Sequence, residues 1–147
     1  MLRRSLKIAL TAAGLATALP VAALERVALE PITHATASLT VMGPAETQTF
    51  TPSELEALGA MRVVTTTPWR ENETTFDGVL LQDLLAATGI SDAKGIRVIA
   101  ENDFAIEMPR AVWESTPILI ATRVEGRAFA ARAGTYPVHY SDGPLFE

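Results

Sequence analysis

The chain has 147 residues, 48% of them apolar, with 17 acidic against 12 basic side chains, no cysteine and a formal charge of −5. That length and apolar share suit one domain with its own core and are short for two. The acidic balance leaves no basic surface able to neutralise several phosphates, which argues against nucleic acid and against an anionic membrane as partners, and the lack of cysteine leaves stability to packing and hydrogen bonding alone.

Arg3, Arg4 and Lys7 form a basic opening, Ile8 to Leu19 an apolar stretch rich in Ala and Leu, and Val21-Ala22-Ala23 a run of small residues. That order predicts a signal peptide over 1–23, with the domain occupying 24–147, and a periplasmic or secreted location. Thr11, Gly14, Thr17 and Pro20 dilute the stretch below the roughly 20 strongly apolar residues of a membrane-spanning helix. The Arg3-Arg4 pair is compatible with twin-arginine export as well as with the general secretory route. Residues 1–23 carry three basic side chains and no acidic one, so their removal takes the formal charge to −8.

Ala37 to Met42 alternates and is rich in β-branched residues, so it reads as a strand ending at Gly43-Pro44. Thr51-Pro52-Ser53-Glu54 reads as a helix start, with Thr51 as cap, Pro52 at the first helical position and Glu54 returning a bond to Thr51. The helix is short, because Gly59 follows Leu55 and Leu58 closely. Val63 to Thr67 is a β-branched run stopped by Pro68, and Thr75 to Val79 reads as the next strand, with Arg70-Glu71-Asn72-Glu73 as a polar loop between them and Asp77-Gly78 as a kink. Leu80, Leu81, Leu84 and Leu85 then fall at helical spacing and end at Gly89, a C-terminal cap.

Gly95 to Ala100 and Phe104 to Met108 read as strands, one buried and one partly exposed, joined by a turn at Asn102-Asp103. A short helix begins within Pro109 to Trp113. Pro117 to Thr122 is apolar enough for a central strand covered on both faces, and Glu125-Gly126 makes the following turn. Strands outnumber helices without regular alternation, which predicts an α+β domain with a mixed or antiparallel sheet and short helices.

Thr-Thr-Thr-Pro-Trp at 65–69 followed by Phe-Asp-Gly-Val-Leu-Leu-Gln-Asp-Leu-Leu at 76–85 resembles the oxidoreductase molybdopterin-binding domain family, the sulfite-oxidase-like fold. Leu39 to Gly43, Ala100 to Pro109 and Pro117 to Arg127 match further segments in the family's order, so the resemblance runs from about Ser38 to Arg132. It implies a molybdopterin cofactor, and in catalytic members a cysteine thiolate ahead of the second of these strands ligates molybdenum. Here that stretch is Val-Thr-Thr-Thr-Pro-Trp, and a threonine hydroxyl is too hard and too weakly acidic to replace a thiolate. After Arg132 only a Gly and a Tyr-Pro of the family pattern remain, so the end reads as a short variant or a truncated copy lacking a last strand, with an unpaired sheet edge as the consequence.

The candidate binding residues are Trp69 and Arg70 at the corner and Asn102 and Asp103 at a loop tip; no catalytic residue and no metal ligand is assigned. Trp69 could wall a pocket, though a Trp at a sheet corner is also a structural residue, and Arg70 could meet an anion or pair with its acidic neighbours. Asn102 and Asp103 could contact a ligand or simply form the turn. Arg123, Arg127 and Arg132, spaced by four and five, could gather an anion or offset the protein's own carboxylates. Glu71, Glu73 and Asp77 are read as a polar cluster with no apolar pocket to split their pKa values. His34 and His139 are isolated, and no hydrolase elbow, phosphate loop or dinucleotide fingerprint is present.

Two readings follow. One is an exported binding module that keeps the sulfite-oxidase-like fold without molybdenum redox catalysis, its partner a small molecule or a periplasmic protein. The other is a molybdopterin-dependent oxidoreductase or its cofactor-bearing subunit.

Overall fold

A computed structural model of the chain describes residues 23–33, 37–68, 70–100 and 102–129 in full and 135–141 by their backbone. The expected signal peptide, Trp69, His34 and Arg132 lie outside the described residues, as does the side chain of His139. The architecture is α+β: among the described residues ten strands form two five-stranded sheets, every pairing but one antiparallel, with three short helices. Among the described residues no helix is long and apolar enough to cross a membrane.

The first elements are β1 (Glu25–Arg26), β2 (Ser38–Met42) and β3 (Thr47–Phe50). In β2 the period of two sends Leu39 and Val41 inward. Helix α1 (Pro52–Ala57) starts as expected: the Thr51 hydroxyl accepts from Glu54 N at 3.3 Å, and Glu54 Oε2 accepts from Thr51 N at 2.7 Å. Those bonds to the charged form, the backbone one foremost, hold the Glu54 carboxyl below its ordinary value.

Strands β4 (Ala60–Thr67) and β5 (Arg70–Leu80) form a hairpin that closes on the pair Thr67 and Arg70. The expected loop Arg70-Glu71-Asn72-Glu73 is therefore the start of a strand. Its residues are all exposed, so no apolar alternation marked it, and backbone pairing with β4 supplies the order that burial does not. Helix α2 (Leu81–Ala87) buries Leu81, Leu84 and Leu85 at spacings of three and one. It ends in a Schellman motif: Gly89, with φ of 72°, donates to Ala86 O, and Ile90 donates to Leu85 O.

Strands β6 (Gly95–Ile99) and β7 (Ala105–Pro109) pair directly, α3 (Arg110–Ser115) buries Trp113, and β8 (Leu119–Val124) turns through Glu125 and Gly126, both at positive φ, into β9 (Arg127–Ala128). Strand β10 (Thr135–Ser141) completes the set. The first sheet runs β1-β4-β5-β8-β9 and the second β3-β2-β10-β6-β7.

Two expectations need correcting. The apolar run 117–122 is not a central strand covered on both faces: β8 starts at Leu119, has only the two-residue β9 beyond it, and buries Thr122 alone. An apolar run facing an open space and one facing a packed layer have the same sequence pattern. The segment after Arg132 supplies a central strand, with β10 parallel to β2 and antiparallel to β6, so the edges of that sheet are β3 and β7. Pro137, which has no N–H to donate, is accommodated there. It pairs with Thr40 on the β2 side, and pairing with β6 begins one residue later, at Val138.

One apolar cluster joins both sheets. Leu39, Val41 and Ile96 come from the second sheet, Val79 from the first, and Leu55, Leu84 and Leu85 from the helices. Each fully buried side chain of this size contributes about 1.5–3 kcal/mol relative to exposure.

Candidate functional site: a cavity between the sheets

Next to that cluster the two sheets enclose a cavity of about 450 Å³. Leu39, Phe50, Val98 and Ile106 face it from the second sheet, Ile120 from the first, and Ile118 from the segment just before β8. Ligand cavities span roughly 300–1,000 Å³ and are lined mostly by apolar side chains, with few polar groups. Ile106 at 43% and Phe129 at 44% exposure belong to the same lining and bring it to the surface. Among the described residues the hydroxyls of the lining are those of Ser38 and Thr122.

Behind Thr122 lies a buried polar network created by an irregularity in β8. Asp77 pairs with Arg123 while Gly78 pairs with Ala121, so Thr122 is the extra residue of a bulge. Regular strand geometry sends consecutive side chains to opposite faces; the bulge lets both Thr122 and Arg123 reach one carboxylate. Thr122 Oγ1 donates to Glu56 Oε1 at 2.6 Å, and Arg123 grips the same carboxylate with Nε at 2.8 Å and Nη2 at 2.6 Å. Arg123 Nη2 also donates to Glu30 O. The hydrogen bond to Glu56 raises the Arg123 pKa above its ordinary value, so the guanidinium stays charged.

Asp77, fully buried, is held by Arg62 through Nε at 2.6 Å and Nη2 at 3.0 Å, and that bond raises the Arg62 pKa. Gly78 makes the bulge sterically possible. A Cβ there would sit 2.0 Å from Ile120 O and 2.8 Å from Ala121 Cα, so β8 can approach this closely only past a glycine.

The residues singled out in the sequence lie elsewhere. Arg70 is exposed at the end of the β4–β5 hairpin in the first sheet, and among the described residues it has no ion-pair partner, its acidic neighbours included. Asn102 and Asp103 are exposed at the tip of the β6–β7 hairpin in the second sheet. Asp103 has φ of 62°, and Asn102 Oδ1 accepts from Phe104 N at 3.2 Å, which is the turn geometry expected of short polar side chains. None of the three lines the cavity. Of the arginines read as able to gather an anion, Arg123 in β8 is paired with Glu56 and Arg127 lies exposed in β9.

The sequence reading missed the cavity and the burial of Glu56 and Asp77. One signal existed for Asp77: it stands two residues before Val79, on the face that a period of two turns inward. Glu56 carried none, since the helix has too few turns to define its buried face. Glu71 and Glu73 are exposed on β5 and do not share Asp77's environment.

A phosphate-bearing pterin needs donors and cations, and among the described residues the cavity lining includes no Lys, Arg or His. Of the stretch Val64 to Trp69, where the resemblance would put a thiolate, Val64 to Thr67 lie in β4 and none of the described residues belongs to the lining; the Thr65 hydroxyl donates to Thr66 O at 3.3 Å. Among the described residues no three His, Cys, Asp or Glu side chains come together to hold a metal ion.

No protein-family model matches the chain, and no curated protein is significantly similar to it.

Proposed function

We propose that this chain is an exported binding module whose cavity between the two sheets takes up an apolar small molecule. The carrying observation is the 450 Å³ space lined by side chains of both sheets and continued to the surface by Ile106 and Phe129. An apolar lining of that volume left to water costs free energy that a fitting ligand recovers, and the partly exposed rim offers a route in. The order of the motifs between Ser38 and Arg132 supports a sulfite-oxidase-like scaffold as its origin, residues 24–147 forming one domain after a signal peptide at 1–23. On this reading the scaffold is retained for binding, without molybdenum chemistry, in a periplasmic or secreted setting.

The test is a titration of the purified protein with the neutral fluorescent probe N-phenyl-1-naphthylamine. Saturable fluorescence enhancement is expected, and Val98→Trp, which places an indole in the cavity, is expected to weaken it by at least about tenfold while the far-ultraviolet circular dichroism is unchanged. Enhancement that persists in the Trp variant would move the binding site away from the cavity and overturn the proposal.

A further inference from the structure

We infer that the cavity selects uncharged ligands, and specifically rejects carboxylates such as fatty acids in favour of neutral alcohols of the same chain length. The inference rests on the binding reading above and adds the chemical class of the ligand to it.

The cavity's electrostatics follow from how its polar end is wired. Among the described residues no lining side chain carries a charge. The nearest charged group reached through the lining is an anion, the Glu56 carboxylate bonded to Thr122 Oγ1 at 2.6 Å. The cation beside it, Arg123, is already paired with Glu56 through two nitrogens and donates to the Glu30 carbonyl, so the pair presents no net positive charge to a ligand. The other guanidinium of the network, Arg62, is committed to Asp77 in the same bidentate way.

Thr122 shows the same bias at the level of one atom. A hydroxyl has a single hydrogen, and Thr122 has two acceptors within reach, Glu56 Oε1 at 2.6 Å and Asp77 O at 3.3 Å, neither of which can donate to it. Its hydrogen is therefore used inside the protein, and toward any further partner the oxygen is an acceptor. A ligand hydroxyl can donate to an acceptor, whereas an ionised carboxylate cannot. A carboxylate drawn into this space would lose its hydration without meeting an uncompensated cation in this network, and burying an unpaired charge is among the most costly changes a binding site can impose.

The experiment is competition against bound N-phenyl-1-naphthylamine at pH 8 with decanol, decanoic acid and decyl methyl ether. Decanol is expected to displace the probe at concentrations at least about tenfold lower than decanoate, with the ether between them, because only the anion must be desolvated unpaired. Decanoate is expected to gain on decanol as the pH is lowered toward the acid's own pKa, where its neutral form becomes available. Ile106→Lys, at the exposed rim, supplies the missing cation without touching the buried network, and is expected to narrow the gap at pH 8.

Equal competition by decanol and decanoate at pH 8 would overturn the selectivity while leaving the binding reading in place. Failure of the probe to bind at all would remove the binding reading itself. Loss of probe binding with rising protein concentration, accompanied by a dimer in sedimentation, would make a second copy of the chain the occupant and would also overturn the inference.

Discussion

The two halves of the molecule's apolar interior use the same residue types and reach different ends. Around α2, Leu84, Leu85, Ala93 and Ile96 are at most 1% exposed, closed in by the helix and its Schellman end. Facing β8, Phe50, Val98, Met108, Ile118 and Ile120 are only partly buried and border a cavity. Hydrophobicity does not separate the halves; what separates them is whether an amphipathic helix covers the sheet. An apolar surface becomes core where the fold supplies a cover and remains a candidate binding surface where it does not.

Between the halves stands the bulge in β8, which ends the regular packing and turns Thr122 and Arg123 onto Glu56. The substitution with the largest expected effect acts there. Gly78→Ala would put a Cβ 2.0 Å from the Ile120 carbonyl oxygen, and overpacking against backbone cannot be relieved by a rotamer change. The expected loss is more than about 3 kcal/mol in urea unfolding, and a loss below about 1 kcal/mol would mean that β8 does not approach β5 as closely as described.

The contrast itself is broken or sharpened by truncating one apolar side chain in each half. Leu84→Ala, in the covered half, should cost roughly 2–5 kcal/mol, since both burial and cavity terms apply. Ile118→Ala, in the open half, should cost about 1 kcal/mol, because part of its surface already borders empty space and little new cavity is made. Similar losses for the two variants by denaturant unfolding would show the β8 side to be as tightly packed as the α2 side.

What the sequence revealed follows the same division. Local rules located the elements whose signals are local: the Thr51 to Glu54 capping box, the Leu81, Leu84, Leu85 face closed by Gly89, and the turn at Asn102-Asp103. The arm Arg70 to Glu73 was hidden because a hairpin exposed on both faces has no alternation to read. The bulge was hidden because a register shift depends on the partner strand; Asp77-Gly78 marked a kink but not the close approach behind it. Strand β10 was hidden because the segment after Arg132 keeps only a Gly and a Tyr-Pro of the family pattern, while its place between β2 and β6 depends on long-range pairing.

The site was least legible of all. A cavity arises from the distance between two sheets, and no residue pattern in either sheet encodes that distance. The polar loop-tip residues Arg70, Asn102 and Asp103 drew attention as chemistry-bearing side chains, yet the enclosed space is made by aliphatic residues that read simply as core.

The most direct test of the open half is a crystal structure of the protein under xenon pressure, since apolar cavities accept the gas. The account predicts a xenon peak among Phe50, Val98, Ile118 and Ile120, with the surrounding side chains unmoved. No peak there, with the two sheets closed on each other and the four side chains in mutual contact, would contradict it.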